Sequence, residues 1–546
     1  MSPSGFAKTR VLVVDDFDNF RMTVMRMLQE FGAEQVDTAS SGSDALRKCR
    51  AAFYDLVLCD YNLGHGKSGQ QVLEQLRHEK LLKNSALFVL ISAESSKNIV
   101  MAAYDYEPDA YLTKPITAMT LQQRLERLFR QRAEMKPIYD ALDEDNINAA
   151  IDRCRGLIDS NSRYRSHCQK LLGQLLLSSG NYVAAEGLYR QVLDSRELDW
   201  AQVGLAAAKK GQNDWMAAQQ WVEQALGVSD MCMPAYDLLA SIQLERGDFA
   251  AQQKTLEKAV DISPLSVIRQ QNLGALAFRN QDMAVATQAY KSSVKLGEHS
   301  CYDTPQVHLQ FVRACSELSR RDPEQGKAYA RDVMRVLGEF ENRFGGGFDN
   351  RLLLHSAACA FKAATGDVAG AKSLLGDLRE RTEGQTAALE ARIDWVSACD
   401  AMGEREQRDE LIKALLDEFK GDQQALESID RVLESPVSDK NRKRVADINK
   451  KGIACYDSAD FTGAVACFTQ AAAEFPKHVG IELNLLQALL GSLEAEQGGA
   501  EQLDKALATR DRLEQRVPVG HAQASRYAQL KAKLAELAHQ FSSDGQ

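Results

Sequence analysis

The chain has 546 residues, 45% apolar and 26% charged, with 35 glycines and 11 prolines, which argues against a single compact core and against any long disordered or collagen-like stretch. Its 66 basic and 76 acidic side chains leave a net charge of −10, a balance that argues against wrapping nucleic acid or lying on an anionic membrane. From the amino terminus, short apolar runs alternate with amphipathic segments: Val11–Val14, a helical pattern to Phe31, Asp55–Cys59, a helical pattern over Gln70–His78, then Leu87–Ile91 and Ala110–Thr113. Short apolar strands separated by helices predict a parallel sheet covered on both faces. Strand signals stop near residue 130. From Ile138 onward the sequence is rich in Ala, Leu, Gln and Glu at helical spacing, broken by turns such as SSGNY, ERGDF, ATGDV and SADF.

Those turns belong to a longer repeat. Small residues at Gly173, Gly204, Ala240, Gly274 and Gly452 align as one position of a first helix, and 34 residues separate Ala240 from Gly274. One unit reads Tyr236, Leu239, Ala240, Gly247-Asp-Phe249, Leu256, Ala259 and Pro264; a late one reads Gly452, Phe461, Ala464, Phe468, Ala471 and Pro476. Small residues let two helices approach and aromatic residues fill the holes between them. Both units resemble the tetratricopeptide repeat. The pattern weakens between about 300 and 440, with one fair unit around Cys359, Gly366, Val368 and Ala371 and a break at Ser435-Pro-Val-Ser-Asp439. The expected domains are therefore 1–130, 131–300, 301–440 (degenerate helical repeats) and 441–546.

Eleven cysteines lie between Cys49 and Cys467 with no CxxC pair, so neither a disulfide framework nor a zinc site is indicated and a reducing, cytoplasmic setting is expected. The amino-terminal apolar run is too short for a signal-peptide core, and no stretch approaches the 18 or so apolar residues of a membrane span.

The first 130 residues hold one sharp constellation. Asp15 and Asp16 follow the run Val11–Val14, Asp60 follows Asp55–Cys59 at LCDYN, Ser92 follows Leu87–Ile91 at LISAE, and Lys114-Pro115 closes Ala110–Thr113 at AYLTKP. The carboxyl ends of parallel strands share one crevice, so these side chains converge. Three carboxylates brought together repel unless a positive group joins them, and a hard divalent cation such as Mg²⁺ together with Lys114 meets that need. Such an assembly suits phosphoryl transfer to a carboxylate.

On these residues, Thr9–Arg130 resembles the receiver domain of bacterial two-component response regulators. The resemblance implies a flavodoxin-like fold with a five-stranded parallel sheet, followed here by an all-α tetratricopeptide-like solenoid. It also implies Asp60 as phosphoacceptor, Asp15, Asp16, Asp60 and the backbone carbonyl of Asn62 around Mg²⁺, Ser92 and Lys114 as groups drawn to the phosphoryl group, Tyr111 as a switching aromatic, and a cis bond at Pro115. Two features depart from the family pattern: Gly64 stands where proline is usual, and Gly69 comes one residue late.

His65, between two glycines, reads as an exposed loop residue, and Lys440-Asn-Arg-Lys-Arg444 with Lys450 and Lys451 reads as a solvated helix start. No Walker loop, nucleotide-binding kinase motif or basic recognition helix is visible. The helical array offers a surface for a protein partner, with Asp237, Ser241, Glu245, Gln271, Arg279, Asn449, Tyr456 and Asp457 as groove-facing candidates. The expected function is thus signalling and not enzymatic: a histidine kinase phosphorylates Asp60, the receiver dephosphorylates itself, and the array binds an unidentified protein according to phosphorylation state. A receiver-mediated homodimer is a further expected partner. The alternative is an auxiliary regulator that competes for or inhibits a kinase and regulator pair, as a phosphate sink or scaffold.

Overall fold

The computed structural model describes residues 6–93, 101, 106–160, 162–345, 347–382, 387–475, 477–495, 498–518 and 520–543; Pro476 of the late repeat lies outside them. Five parallel strands, β1 (Arg10–Val14), β2 (Gln35–Ala39), β3 (Leu56–Asp60), β4 (Leu87–Ser92) and β5 (Ala110–Thr113), form one sheet in the order β2-β1-β3-β4-β5. Because side chains alternate along a strand, β1 sends Val11 and Val13 to one face and Leu12 and Val14 to the other. On the first face they meet Val24 and Leu28 of α1 (Asp18–Glu30) and Leu121 and Leu125 of α4 (Ala118–Asp143). On the second they meet Leu46 of α2 (Gly42–Ala51) and Val72, Leu73 and Leu76 of α3 (Gly69–His78). Both faces are covered, which is why β1, β3 and β4 read as continuous apolar runs. β2, QVDTA, is an edge strand half-buried along most of its length, and its polar composition hid it from the apolar-run reading.

Helix α4 is 26 residues long, about 39 Å at 1.5 Å per residue. Its first half contributes Leu121 and Leu125 to the core against the sheet, while Met135, Ile138, Tyr139 and Ala141 in its second half contribute to the core of the helices that follow. Residue 130 therefore falls inside one continuous helix.

After α4 the described residues form twenty-two further α-helices and one 3₁₀ turn, with no strand. The turns obey one rule. Asn213, Gly247, Gln281, Gly366 and Ala459 all have positive φ, and each is followed by an aspartate whose carboxylate accepts a backbone N–H three residues on. A left-handed residue ends one helix and an N-capping aspartate starts the next. Asp214, Asp248 and Asp282 succeed one another every 34 residues. The small positions also behave as the spacing predicts. A Cβ at Gly173 would lie 2.3 Å from the Tyr189 hydroxyl, one at Gly204 2.2 Å from the same ring, one at Gly274 2.9 Å from Tyr290 and one at Gly452 2.6 Å from Phe468. This is a helical repeat architecture held together by small-residue and aromatic pairs.

The chain divides into two compact units, residues 1–273 with 291–304, and residues 274–290 with 305–546. In the first, the helical cores gather around Tyr189 and Leu205 and around Val222 and Ile242. In the second, Trp395 donates to Ser356 Oγ (2.9 Å) and Arg313 pairs with buried Asp394 (2.7 Å), which ties the degenerate stretch together. The break at 435–439 is a fastened turn: buried Asp430 accepts from Val437 N and Ser438 Oγ at 2.6 Å and from Asn441 Nδ2 at 2.9 Å. No helix among the described residues is long and apolar enough to cross a membrane.

Candidate functional site

The sheet register brings the sequence-predicted residues together at the carboxyl ends of the strands. Asp60 is the last residue of β3 and pairs with Ile91, Ser92 is the last of β4 and pairs with Thr113, and Lys114 N donates to Ser92 O at 2.7 Å. Asp15 N donates to Ala39 O at 3.2 Å, which seats the end of β1 beside them. The Lys114 ammonium lies 2.8 Å from both Asp15 Oδ2 and Asp60 Oδ2, with the Phe20 ring centroid at 4.1 Å. Asp15 and Asp60 are buried and Asp16 is exposed, so the trio opens to solvent on one side.

The charge balance is uneven. Ligand oxygens of Asp15, Asp16 and Asp60 lie within 4.8 Å of one another, against one lysine. Burial pushes the Asp60 carboxyl up to about 6; Lys114 opposes that rise and Asp15 adds to it. Lys114 is held above its ordinary value by Asp15 and Asp60 although burial pulls it down. Three convergent oxygen donors, short of positive charge and open on the Asp16 side, fit a hard divalent cation.

A cleft of about 460 Å³ adjoins the trio, lined by Phe17, Phe20, Asp60, Asn62, Ser92 and Lys114 among others. Ser92 is buried, and Tyr111 packs half-buried against the sheet. The Lys114–Pro115 bond is cis. His65 is exposed in the loop. The departures after Asp60 have a physical reason. Gly64 has φ +70°, which proline's ring cannot reach, and a Cβ there would lie 2.9 Å from Asp16 Oδ2. A Cβ at Gly69 would lie 2.0 Å from the Asp60 carbonyl oxygen, so glycine is obligatory where α3 starts against the site.

Three site residues escaped the sequence reading. Phe17 N donates to Asp15 Oδ1 (2.8 Å), Arg21 Nη1 to the Asp15 carbonyl (2.5 Å), and Phe20 covers Lys114. Their spacing, three and four residues apart at the start of α1, was the available signal.

The groove candidates fall in both units. In the first, Asp237 pairs with Arg269 (2.8 Å), Ser241 donates to Leu238 O, Gln271 donates to Tyr302 O (3.0 Å), and Glu245 is exposed. In the second, Arg279 and Asp457 are exposed, Asn449 accepts from Asn484 (3.1 Å), and Tyr456 stacks edge-on with Phe461. Lys440 pairs with Glu427 and Arg444 with Glu474, so that basic run is partly neutralised.

The response regulator receiver domain family matches residues 11–126. Over 122 residues the chain is 30% identical to chemotaxis protein CheY-3 of Vibrio cholerae serotype O1, a stretch that covers 22% of this chain and 92% of that protein. The chain belongs to the response regulator family. The receiver domain is also 26% identical to chemotaxis protein CheY of Pseudomonas aeruginosa, over 22% of this chain and 97% of that one. It is 32% identical to response regulator protein TrrA of Thermotoga maritima, solved in complex with Mg²⁺-BeF, over 22% of this chain and 98% of that chain, with a TM-score of 0.20.

Proposed function

We propose that this response regulator is phosphorylated on Asp60 by a histidine kinase, and that its helical region is a tetratricopeptide-type array that binds a protein partner according to phosphorylation state. The observation that carries the first half is the Lys114 ammonium placed 2.8 Å from both Asp15 and Asp60 in a buried, acid-rich strand end. An Asp60 carboxylate oxygen attacks the phosphorus of a phosphohistidine. The new O–P bond forms as the P–N bond breaks, and the imidazole leaves with the electron pair and takes a proton. Lys114 and the Ser92 hydroxyl offer positive charge and a donor to the phosphoryl oxygens, and Tyr111 follows them. Asp15, Asp16, Asp60 and the Asn62 carbonyl would hold Mg²⁺, which supplies charge neutralisation at those oxygens when bound. Water later cleaves the acyl phosphate and returns the domain to rest. The 34-residue turn spacing and the small-residue and aromatic pairs support the array reading.

The test is phosphorylation with acetyl phosphate and Mg²⁺, followed by mass spectrometry under conditions that preserve acyl phosphates. A hydroxylamine-labile phosphoryl group on the Asp60 peptide, absent in Asp60→Asn and absent with a chelator, is the expected result. A label on another residue, or none, would overturn it.

A further inference from the structure

One face of α3 is occupied by another part of the chain. Gln71, Glu74 and His78 recur at helical spacing along α3, Lys67 precedes its N-cap Ser68, and all four meet the short segment Glu298–Tyr302, which follows the helix Met283–Leu296 of the array and belongs to the same compact unit as the receiver. Lys67 donates to His299 O, and Gln71 Nε2 donates to Glu298 O at 2.8 Å. Glu74 is 2% exposed and its Oε1 accepts from Ser300 Oγ and, at 2.8 Å, from Cys301 N. His78 and Tyr302 meet edge to face with ring centroids 6.0 Å apart. The segment is anchored behind by Gln271, whose amide donates to Tyr302 O at 3.0 Å. His299 sits at φ +68°, a conformation that non-glycine residues adopt only at a cost.

A carboxylate this buried is stable only while its donors stay in place, and Ser300 Oγ and Cys301 N, both from the segment, donate to it. The other end of α3 touches the phosphoacceptor. Gly69 packs against the Asp60 carbonyl and its N–H donates to Tyr61 O at 2.8 Å. Gln71 serves both ends: its Oε1 accepts from Ser68 N at 3.0 Å in a capping box while its Nε2 reaches Glu298. A ten-residue helix thus joins Asp60 to a polar contact with the array.

We infer that the segment Glu298–Tyr302 is a latch clasped by α3 while Asp60 is unmodified, and that phosphorylation of Asp60 releases it. This deepens the proposed function and rests on Asp60 as the phosphoacceptor. A phosphoryl group adds a charge of about −1.5 to −2 at the residue that α3 starts against, and the loop of residues 61–68 must rearrange around it. Hydrogen bonds tolerate shifts of only a few tenths of an ångström, and Glu74 deprived of a donor must be hydrated. The contact therefore opens fully instead of loosening gradually.

The experiment is hydrogen exchange on the full-length chain, with and without Mg²⁺ and fluoroberyllate, reading the peptides that cover 61–69 and 297–304 together with the alkylation rate of Cys301. Burial and Glu74 push the Cys301 thiol up to about 12, so release makes it more reactive. The expected result is protection at 61–69 with roughly tenfold faster exchange at 297–304 and faster Cys301 alkylation, all absent in Asp60→Asn. Glu74→Ala opens 297–304 without the mimic, and Glu74→Gln, which keeps an acceptor oxygen, stays mostly closed. Protection at 61–69 with 297–304 unchanged overturns the latch and leaves the Asp60 reading standing. No protection at 61–69 overturns the Asp60 reading and phosphoryl control with it. A Glu74→Ala protein as protected at 297–304 as the native one overturns the clasp itself.

Discussion

Aspartate is used in opposite ways in the two regions of this molecule. In the receiver, Asp15, Asp16 and Asp60 crowd within 4.8 Å around one lysine, an arrangement short of positive charge. In the helical region, Asp214, Asp248, Asp282, Asp367 and Asp460 stand apart, each accepting a backbone N–H that a helix start would otherwise leave unpaired. The first set is costly to fold and leaves chemistry available; the second lowers the cost of folding and leaves none. Function concentrates where the local interactions are least settled.

The largest expected effect sharpens that contrast: Asp60→Asn abolishes phosphoryl incorporation while the helical region keeps its native exchange protection. Tyr189→Ala should do the reverse. It empties the space between Gly173 and Gly204 and should cost about 3–5 kcal/mol locally, seen as early urea unfolding of helices 165–211, with Asp60 still phosphorylated. A third measurement is the pH dependence of receiver stability without Mg²⁺. Burial raises the folded Asp60 carboxyl from 3.8 to about 6, so the folded state keeps a proton that the unfolded chain has lost. Stability present below pH 4 should fall by about 1–3 kcal/mol as pH rises to 6. Asp60→Asn should flatten that slope; an unchanged slope would show the crowding is relieved some other way. The smallest effect is Asp248→Ala, about 1 kcal/mol, confined to faster exchange in the first turn of helix Phe249–Ile262.

Much of this was legible from residue order alone. The strand-end residues could be placed because a parallel sheet gathers its carboxyl ends, whatever their separation in sequence. Gly173, Gly204 and Gly452 could be placed because helix pairs need room for an aromatic ring. β2 escaped because an edge strand is not a continuous apolar run. The receiver boundary expected at residue 130 rests on where strand signals stop; a helical period carries no mark where one core gives way to the next. Glu74 was invisible as a contact because its partners, Ser300 and Cys301, lie in a loop without periodicity. The groove candidates rest on position in the repeat, which carries no information about their partners: Asp237 pairs with Arg269 and Asn449 accepts from Asn484.

The uninterrupted helix Ala118–Asp143 has a consequence of phase. Each residue of an α-helix turns the chain by about 100°, so the length between Leu125 in one core and Met135 in the next fixes the azimuth at which the following helices leave the receiver. One alanine inserted at residue 130 would rotate the helices that follow it in the same compact unit by about 100°; seven would add about two turns and nearly restore the original heading. The contact between α3 and Glu298–Tyr302 should therefore depend on inserted length periodically, not monotonically, read as exchange at 297–304.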